Sequence, residues 1–199
     1  MIKVEKKFIL TAKDIEKVLE ISQFVDERLF RDIYYDTDDY FLSQKDIWLR
    51  SREENFELKV PVYSGLQRKI DQYEFVIEDG KILQKLGIVR VHGIKKDLEV
   101  AGYIHFCDLK TTRKKYLCGE FSIDLDFVEC EDFTYNIAEI GLTIMDESLV
   151  KQAVEKILEF SKSLGLKDVY VNGKVREYLK QKRPDHYKVL LNSGMIKEY

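Results

Sequence analysis

A chain of 199 residues with 45% hydrophobic composition can bury one sizeable core, and its length is within the range of a single domain, expected here over 1–199. Lys and Arg total 33 against 36 for Asp and Glu, so the net charge of -3 gives no ground for broad attraction to nucleic acid or anionic membrane, and any basic site must be local. The absence of a bilayer-length apolar run and of a basic leader with a small-residue cleavage site predicts a cytoplasmic protein.

In chain order, alternation and Tyr, Phe, Val and Ile content predict strands near 2–10, 27–36, 45–53, 55–62, 70–77, 103–117, 120–129 and 134–145. The short links around 51–56 and 117–120 read as tight hairpins, which favours antiparallel pairing. Helices are predicted over about 12–22 with Thr11 as N-cap, near 79–87 and 96–102, and from 147 or 148 to Leu164, ending at Gly165. The tail reads as a helix over 172–182, broken by Arg183-Pro184 before a last turn around 187–191.

Side chains two apart share a face of a strand, and in this chain those faces carry charge. Lys3, Glu5 and Lys7 alternate with Ile2, Val4 and Phe8. Arg50 and Arg52 share a face with Trp48; Glu57 and Lys59 oppose Phe56, Leu58 and Val60; Thr111, Arg113 and Lys115 fall together. Asp124 and Asp126 oppose Ile123, Leu125 and Phe127, and Glu139 and Gly141 oppose Ala138, Ile140 and Leu142. For one strand alone this is an ordinary wet face. Across the set, cations gather on the earlier strands and carboxylates on the last two, as expected where eight strands close and one face lines a lumen. A charged lumen is costly unless its charges are paired. A polyanion and a divalent cation satisfy both halves, because Arg and Lys suit phosphate oxygens and carboxylates suit magnesium or manganese.

Competing chemistries find no support. GxxxxGK[ST] and GxGxxG are absent, His92, His105 and His186 are scattered without HxxxH or HExxH spacing, and no GxSxG elbow occurs. Cys107, Cys118 and Cys130 lack CxxC spacing and read as free thiols.

VEKKF, RDIYYDT at 31–37, WLRSRE at 48–53, ELK at 57–59, TTRKKY at 111–116, DLD at 124–126, AEIG at 138–141 and the ending GKVREYLKQKRPDHYKVLL together resemble the CYTH-domain, or triphosphate tunnel metalloenzyme, superfamily, in particular its thiamine-triphosphate-hydrolysing branch. The resemblance implies a mainly β (α+β) fold, a closed eight-stranded antiparallel barrel with peripheral and C-terminal helices. It implies metal-dependent hydrolysis of thiamine triphosphate or inorganic tripolyphosphate with Mg2+ or Mn2+, on a small-molecule triphosphate, without nucleic acid or membrane partners, by a monomer. Position by position, Lys7, Arg50, Arg52, Lys59, Arg113 and Lys174 would bind phosphate, Lys7 and Lys59 with a catalytic part. Glu5, Asp124 and Glu139 would hold metal, and Trp48 would stack on the organic end or else simply fill the barrel. Glu74, or equally Gln72, would add a polar group. Two positions depart from the family pattern: Lys3 stands for a Glu of the opening ExExK motif and Gly141 for a Glu of the late ExE pair. The alternative is therefore a triphosphate- or polyphosphate-binding module without hydrolysis. Cyclase chemistry on ATP is carried by family association alone, since nothing in the sequence reads an adenine ring.

Overall fold

The structure, a computed structural model, describes residues 2–62, 71–194 and 196. Its strands are β1 (Ile2–Phe8), β2 (Gln23–Asp36), β3 (Trp48–Arg52), β4 (Asn55–Pro61), β5 (Asp71–Val76), β6 (Ile104–Cys118), β7 (Phe121–Cys130) and β8 (Phe133–Ile144). They close into one antiparallel barrel in the order β1-β5-β4-β3-β2-β6-β7-β8. The expected eight-stranded barrel with helices outside it is the observed fold.

The helices are α1 (Ala12–Ile21), α2 (Asp79–Lys85), α3 (Ile94–Val100), α4 (Val150–Ser163), α5 (Lys174–Lys182) and α6 (Pro184–Asn192). Thr11 caps α1 in a capping box: its hydroxyl accepts from the Asp14 amide at 3.3 Å, and the Thr11 amide donates back to the Asp14 carboxylate at 3.1 Å. The predicted last turn around 187–191 is a full helix, since Pro184 stands in its first turn, where a missing N–H costs nothing. Among the described residues no helix is long and apolar enough to cross a membrane.

Most of the core lies outside the barrel, where the apolar phase of the strands points outward and helices cover it, and a further cluster closes one end of the lumen under α5 and α6. Val4, Phe8, Ile140 and Leu142 pack with Ala153 and Ile157 of α4. Leu49, Leu58 and Val76 pack with Ile82, Leu83 and Leu98 of α2 and α3. Tyr34, Trp48 and Leu109 join Val175 and Leu179 of α5 and Leu190 of α6. With the aliphatic side chains taken up mostly by the outer layers, the inner face is left to charge and to a few aromatic rings.

Two hairpins match the expected turns. Glu53 and Glu54 both take positive φ, 49° and 70°, between β3 and β4, the twist that suits a two-residue hairpin. Gly119, at φ 57°, opens the turn from β6 to β7. β2 begins four residues earlier than its pattern suggests. A register shift between Phe24 and Asp26 against β6 breaks the alternation there, so pairing continues where the sequence period does not.

Candidate active site in the barrel lumen

Register alone brings the charged side chains together. Lys7 stands opposite Glu139 and Glu5 opposite Gly141 across β1 and β8; Asp124 stands opposite Glu139 across β7 and β8. Arg113 faces Asp126, Asp32 faces Arg52, Arg50 faces Glu57, and Trp48 faces Lys59. Directly opposed side chains are near neighbours. They surround a cavity of about 240 Å³ lined, among others, by Lys3, Glu5, Lys7, Trp48, Arg50, Arg52, Lys59, Arg113, Glu139 and Lys174. All of the sequence-expected phosphate ligands are therefore in one lumen, and Asp124 is joined to it through Arg113.

The charges segregate along that lumen. At one side Asp32, fully buried, serves three cations. Arg52 takes it bidentately at 2.7 and 2.9 Å, Arg50 approaches at 3.4 Å, and Lys174 bonds to it from the first turn of α5 while also donating to Thr111 Oγ1 at 3.0 Å. Burial pushes the Asp32 carboxyl up, but Arg50, Lys174 and Arg52 together outweigh it and hold it well below the usual range. Arg50 also donates from Nε to Glu57 at 2.9 Å, and Lys7 pairs with Asp71. Lys59 is different. Among the described residues no carboxylate lies within ion-pair distance of it, and its ammonium sits 4.8 Å from the Phe75 ring centroid. Burial, then the nearby Arg50 charge, pull its pKa from 10.5 down to about 7.

At the other side the balance reverses. Lys3 and Arg113 serve four carboxylates. Arg113 grips Asp126 through two bonds of 2.6 Å, reaches Asp124 at 2.7 Å and Glu139 at 3.2 Å. Glu5, Asp124 and Glu139 offer oxygens that all lie within 4.8 Å of one another, the one such acidic trio found among the described residues. Lys3 enters this trio. Its ammonium pairs with Glu5 Oε1 and lies 3.6 Å from Asp124 Oδ2. Burial opposes the Lys3 charge, but Glu5, Glu139 and Asp124 together raise its pKa. Even so, among the described residues Asp124 Oδ1 is buried without a hydrogen-bond donor, and Glu5 Oε1 has the Lys3 ammonium as its one partner. A hard oxygen trio with an orphaned carboxylate oxygen at Asp124 fits a divalent cation.

Gly141 shapes the trio by its missing side chain. A Cβ there would stand 3.1 Å from the Val4 carbonyl oxygen and 3.2 Å from Glu5 Cγ. The Glu5 stem thus uses the space a side chain at 141 would need. Gly141→Ala is expected to cost about 1–3 kcal/mol in chemical denaturation, because the Val4 carbonyl belongs to a paired strand and cannot retreat. An unchanged unfolding midpoint would show that the strands yield freely.

The remaining end carries Trp48. Its Nε1 donates to Asp46 Oδ1 at 2.8 Å, the Tyr73 hydroxyl donates to the same oxygen at 2.8 Å, and Arg176 of α5 pairs with it while lying 5.8 Å from the Trp48 ring centroid. Trp48 both lines the cavity and packs with Tyr34 and Val175.

Several site residues were not legible. Asp32 sits in the lumen phase of β2, two residues from Phe30 and Tyr34, a parity that could have flagged it. Arg176 follows Lys174 in the first turn of a helix and leaves no strand signal. The expectation for Glu74 or Gln72 is corrected. The lumen phase of β5 is Asp71, Tyr73 and Phe75, and Glu74 points outward to Lys85 at 3.3 Å.

The CYTH domain profile matches residues 1–171. Thiamine-triphosphatase of Homo sapiens is 30% identical over 217 aligned positions, covering 100% of this chain and 93% of that protein, and the Macaca fascicularis thiamine-triphosphatase is 29% identical with 100% and 93% covered. Among solved structures, the PH1819 protein of Pyrococcus horikoshii OT3 superposes with a TM-score of 0.60 at 21% identity, covering 90% of this chain and 99% of that one. HpAC1 of Hippeastrum, described as having a dominant triphosphatase activity, superposes with a TM-score of 0.57 at 15% identity, with 90% and 95% covered. At these identities the structural likeness shows the barrel alone. The profile spans all eight strands and both halves of the lumen, and the chain belongs to the CYTH domain family.

Proposed function

We propose that this chain is a metal-dependent triphosphatase that cleaves the terminal phosphoanhydride of a linear triphosphate, thiamine triphosphate or inorganic tripolyphosphate, held in the barrel lumen. The observation that carries the reading is Lys59, a lumen ammonium with no carboxylate within ion-pair distance among the described residues and a pKa pulled to about 7. Neighbouring lumen cations already have anions; this one gains its counter-ion when phosphate oxygens arrive. Lys7, Arg50, Arg52, Arg113 and Lys174 surround the same space and fix the chain of phosphates, Lys7, Arg50 and Lys174 exchanging part of their internal pairing for phosphate and Arg52 and Arg113 using the N–H groups left over from their carboxylate pairs. Glu5, Asp124 and Glu139 would hold one Mg2+ or Mn2+, which when bound polarises a phosphoryl oxygen and offsets charge developing on the leaving group. Gly141 offers no ligand for a second ion. Trp48, with its indole N–H fixed by Asp46, presents a flat aromatic to the organic end of a substrate.

The test is to incubate purified protein with thiamine triphosphate, tripolyphosphate and ATP, each with Mg2+, Mn2+ or a chelator, and measure orthophosphate. The reading expects metal-dependent release from at least one of the first two. Silence toward all of them removes it. One observation favours a second reading, a binding module without turnover: the Lys3 ammonium already stands among the carboxylates. In that case calorimetry shows metal-free tripolyphosphate binding, and no orthophosphate appears.

A further inference from the structure

Behind the front cavity the lumen continues into a second one of about 450 Å³, lined by Asp26, Arg28, Leu29, Phe30, Glu53, Lys115 and Asp124 and, shared with the first, Arg52 and Arg113. The shared guanidinium groups stand between the two spaces. Neither is free to swing, since Arg52 is bound at two points to Asp32 and Arg113 at two points to Asp126. The Phe30 ring lies against both: Arg52 Cζ is 3.8 Å and Arg113 Cζ 5.6 Å from its centroid, and Lys174 Nζ is 5.0 Å away. Phe30 is buried on the lumen face of β2, with its ring between the two shared guanidiniums, whereas its neighbour Leu29 is exposed. A locked layer of one phenyl ring and two guanidiniums is a wall. On its far side Arg28 and Lys115 offer further cations, Arg28 carrying Asp26 as its partner at 2.5 Å.

From this we infer that Phe30 closes the phosphate channel and sets the number of phosphates the lumen accepts, so that linear inorganic polyphosphates longer than three units are excluded by the ring while the cations that could hold the extra units stand behind it. The inference rests on the proposed triphosphate reading of the front cavity and names its substrate class more narrowly. An apolar ring in a phosphate path discriminates by exclusion: a fourth phosphate has to stay outside or strip water against a ring that offers it no donor, beside guanidiniums already bonded to Asp32 and Asp126.

The experiment is calorimetric titration of wild type, Phe30→Ala, Phe30→Leu and the double variant Phe30→Ala/Lys115→Glu with tripolyphosphate and with tetrapolyphosphate, without and with Mn2+, alongside orthophosphate release from each. Wild type is expected to bind tripolyphosphate about tenfold or more tightly than tetrapolyphosphate; Phe30→Ala should bring the two within about threefold, and Phe30→Leu should fall between. Lys115→Glu in the Phe30→Ala background should restore the preference, because the gain depends on the rear cation. If Phe30→Ala does not fold, Phe30→Leu decides by the same ratio. Equal affinity of wild type for the two chains, or a ratio unmoved by either substitution, overturns the inference while leaving tripolyphosphate turnover intact. Binding with the expected ratio but without turnover would uphold the inference and overturn only the hydrolase reading. No binding of either chain to wild type would overturn both.

Discussion

Lys59→Met is expected to lower kcat/KM for the preferred triphosphate by about a hundredfold or more while making the protein more stable. The two effects share a cause. The ammonium is held in a cavity that burial and Arg50 make hostile to positive charge, so its pKa falls from 10.5 to about 7. A Met of similar shape removes that penalty, and thermal or chemical denaturation at pH 6 should show a gain of about 1–2 kcal/mol, discounted for the partial exposure of the side chain. The pH dependence has a definite sign. A lysine whose folded pKa is depressed makes the native state bind fewer protons than the unfolded state between about pH 7 and the unfolded value near 10.4. The wild type therefore recovers stability across that window, and the advantage of the Met variant shrinks as pH rises from 7 to 10. A variant less stable than wild type at pH 6 would mean that the ammonium is already compensated.

Lys3→Gln is expected to do the opposite in the carboxylate half. The wild-type ammonium pairs with Glu5 and lies 3.6 Å from Asp124 Oδ2, so an incoming divalent cation has to displace it. Two unit charges at about 4 Å cost about 4 kcal/mol at an effective dielectric near 20, and the cost doubles for a dication, although a lysine that swings toward solvent escapes most of it. Manganese affinity of Lys3→Gln should rise about tenfold or more by calorimetry. Without metal the variant should lose about 2 kcal/mol, because Glu5, with a side chain 2% exposed, is deprived of its counter-ion. Added Mn2+ should then raise its melting temperature more than that of wild type. Equal manganese affinity in both proteins would place the ion elsewhere and leave Lys3 a structural partner of Glu5.

Fold and lumen were legible to different depths because strands and helices write different signals. In β1, β3, β4, β7 and β8 a period of two separates most apolar from most charged side chains, and that parity puts Glu5, Arg50, Lys59, Asp124 and Glu139 inside, Lys6 and Trp48 being exceptions to it. In β5 the same rule is weak: Asp71, Tyr73 and Phe75 alternate with Gln72 and Glu74, and polarity alone cannot choose between the phases, so the expectation falls on Glu74 or Gln72, both in the outward phase. Lys6 shows a further limit. It occupies an apolar-phase position of β1, is fully buried outside the barrel, and is held by Asp168 at 2.9 Å from a segment more than 160 residues away. That pairing helps place the stretch before Gly173, where Lys7 passes so closely that a Cβ at 173 would meet its Cε at 3.1 Å. Contacts between a strand and a distant strap leave no period to read. The same holds for Arg176 and Asp46, joined only when α5 closes over Trp48.

The departures at Lys3 and Gly141 are linked by the fold in a way the sequence does not display. Glu5 stands opposite Gly141, its stem lies against the place of the absent side chain, and its carboxylate meets the Lys3 ammonium. Reinstating a carboxylate at 141 alone would force Glu5 to move, whereas a change at position 3 acts on charge without touching the strand contact.

The central claim, that the lumen is built for the anionic chain of a triphosphate with Lys59 as its waiting cation, is tested most directly by proton-linked calorimetry of tripolyphosphate binding at pH 8, in two buffers of different ionisation enthalpy. With a pKa near 7 in the free protein, Lys59 is mostly neutral at that pH and has to take up a proton as phosphate oxygens close on it. The account expects binding by wild type with an uptake of protons that Lys59→Met lacks. Absence of binding, or the same proton exchange in both proteins, would contradict it.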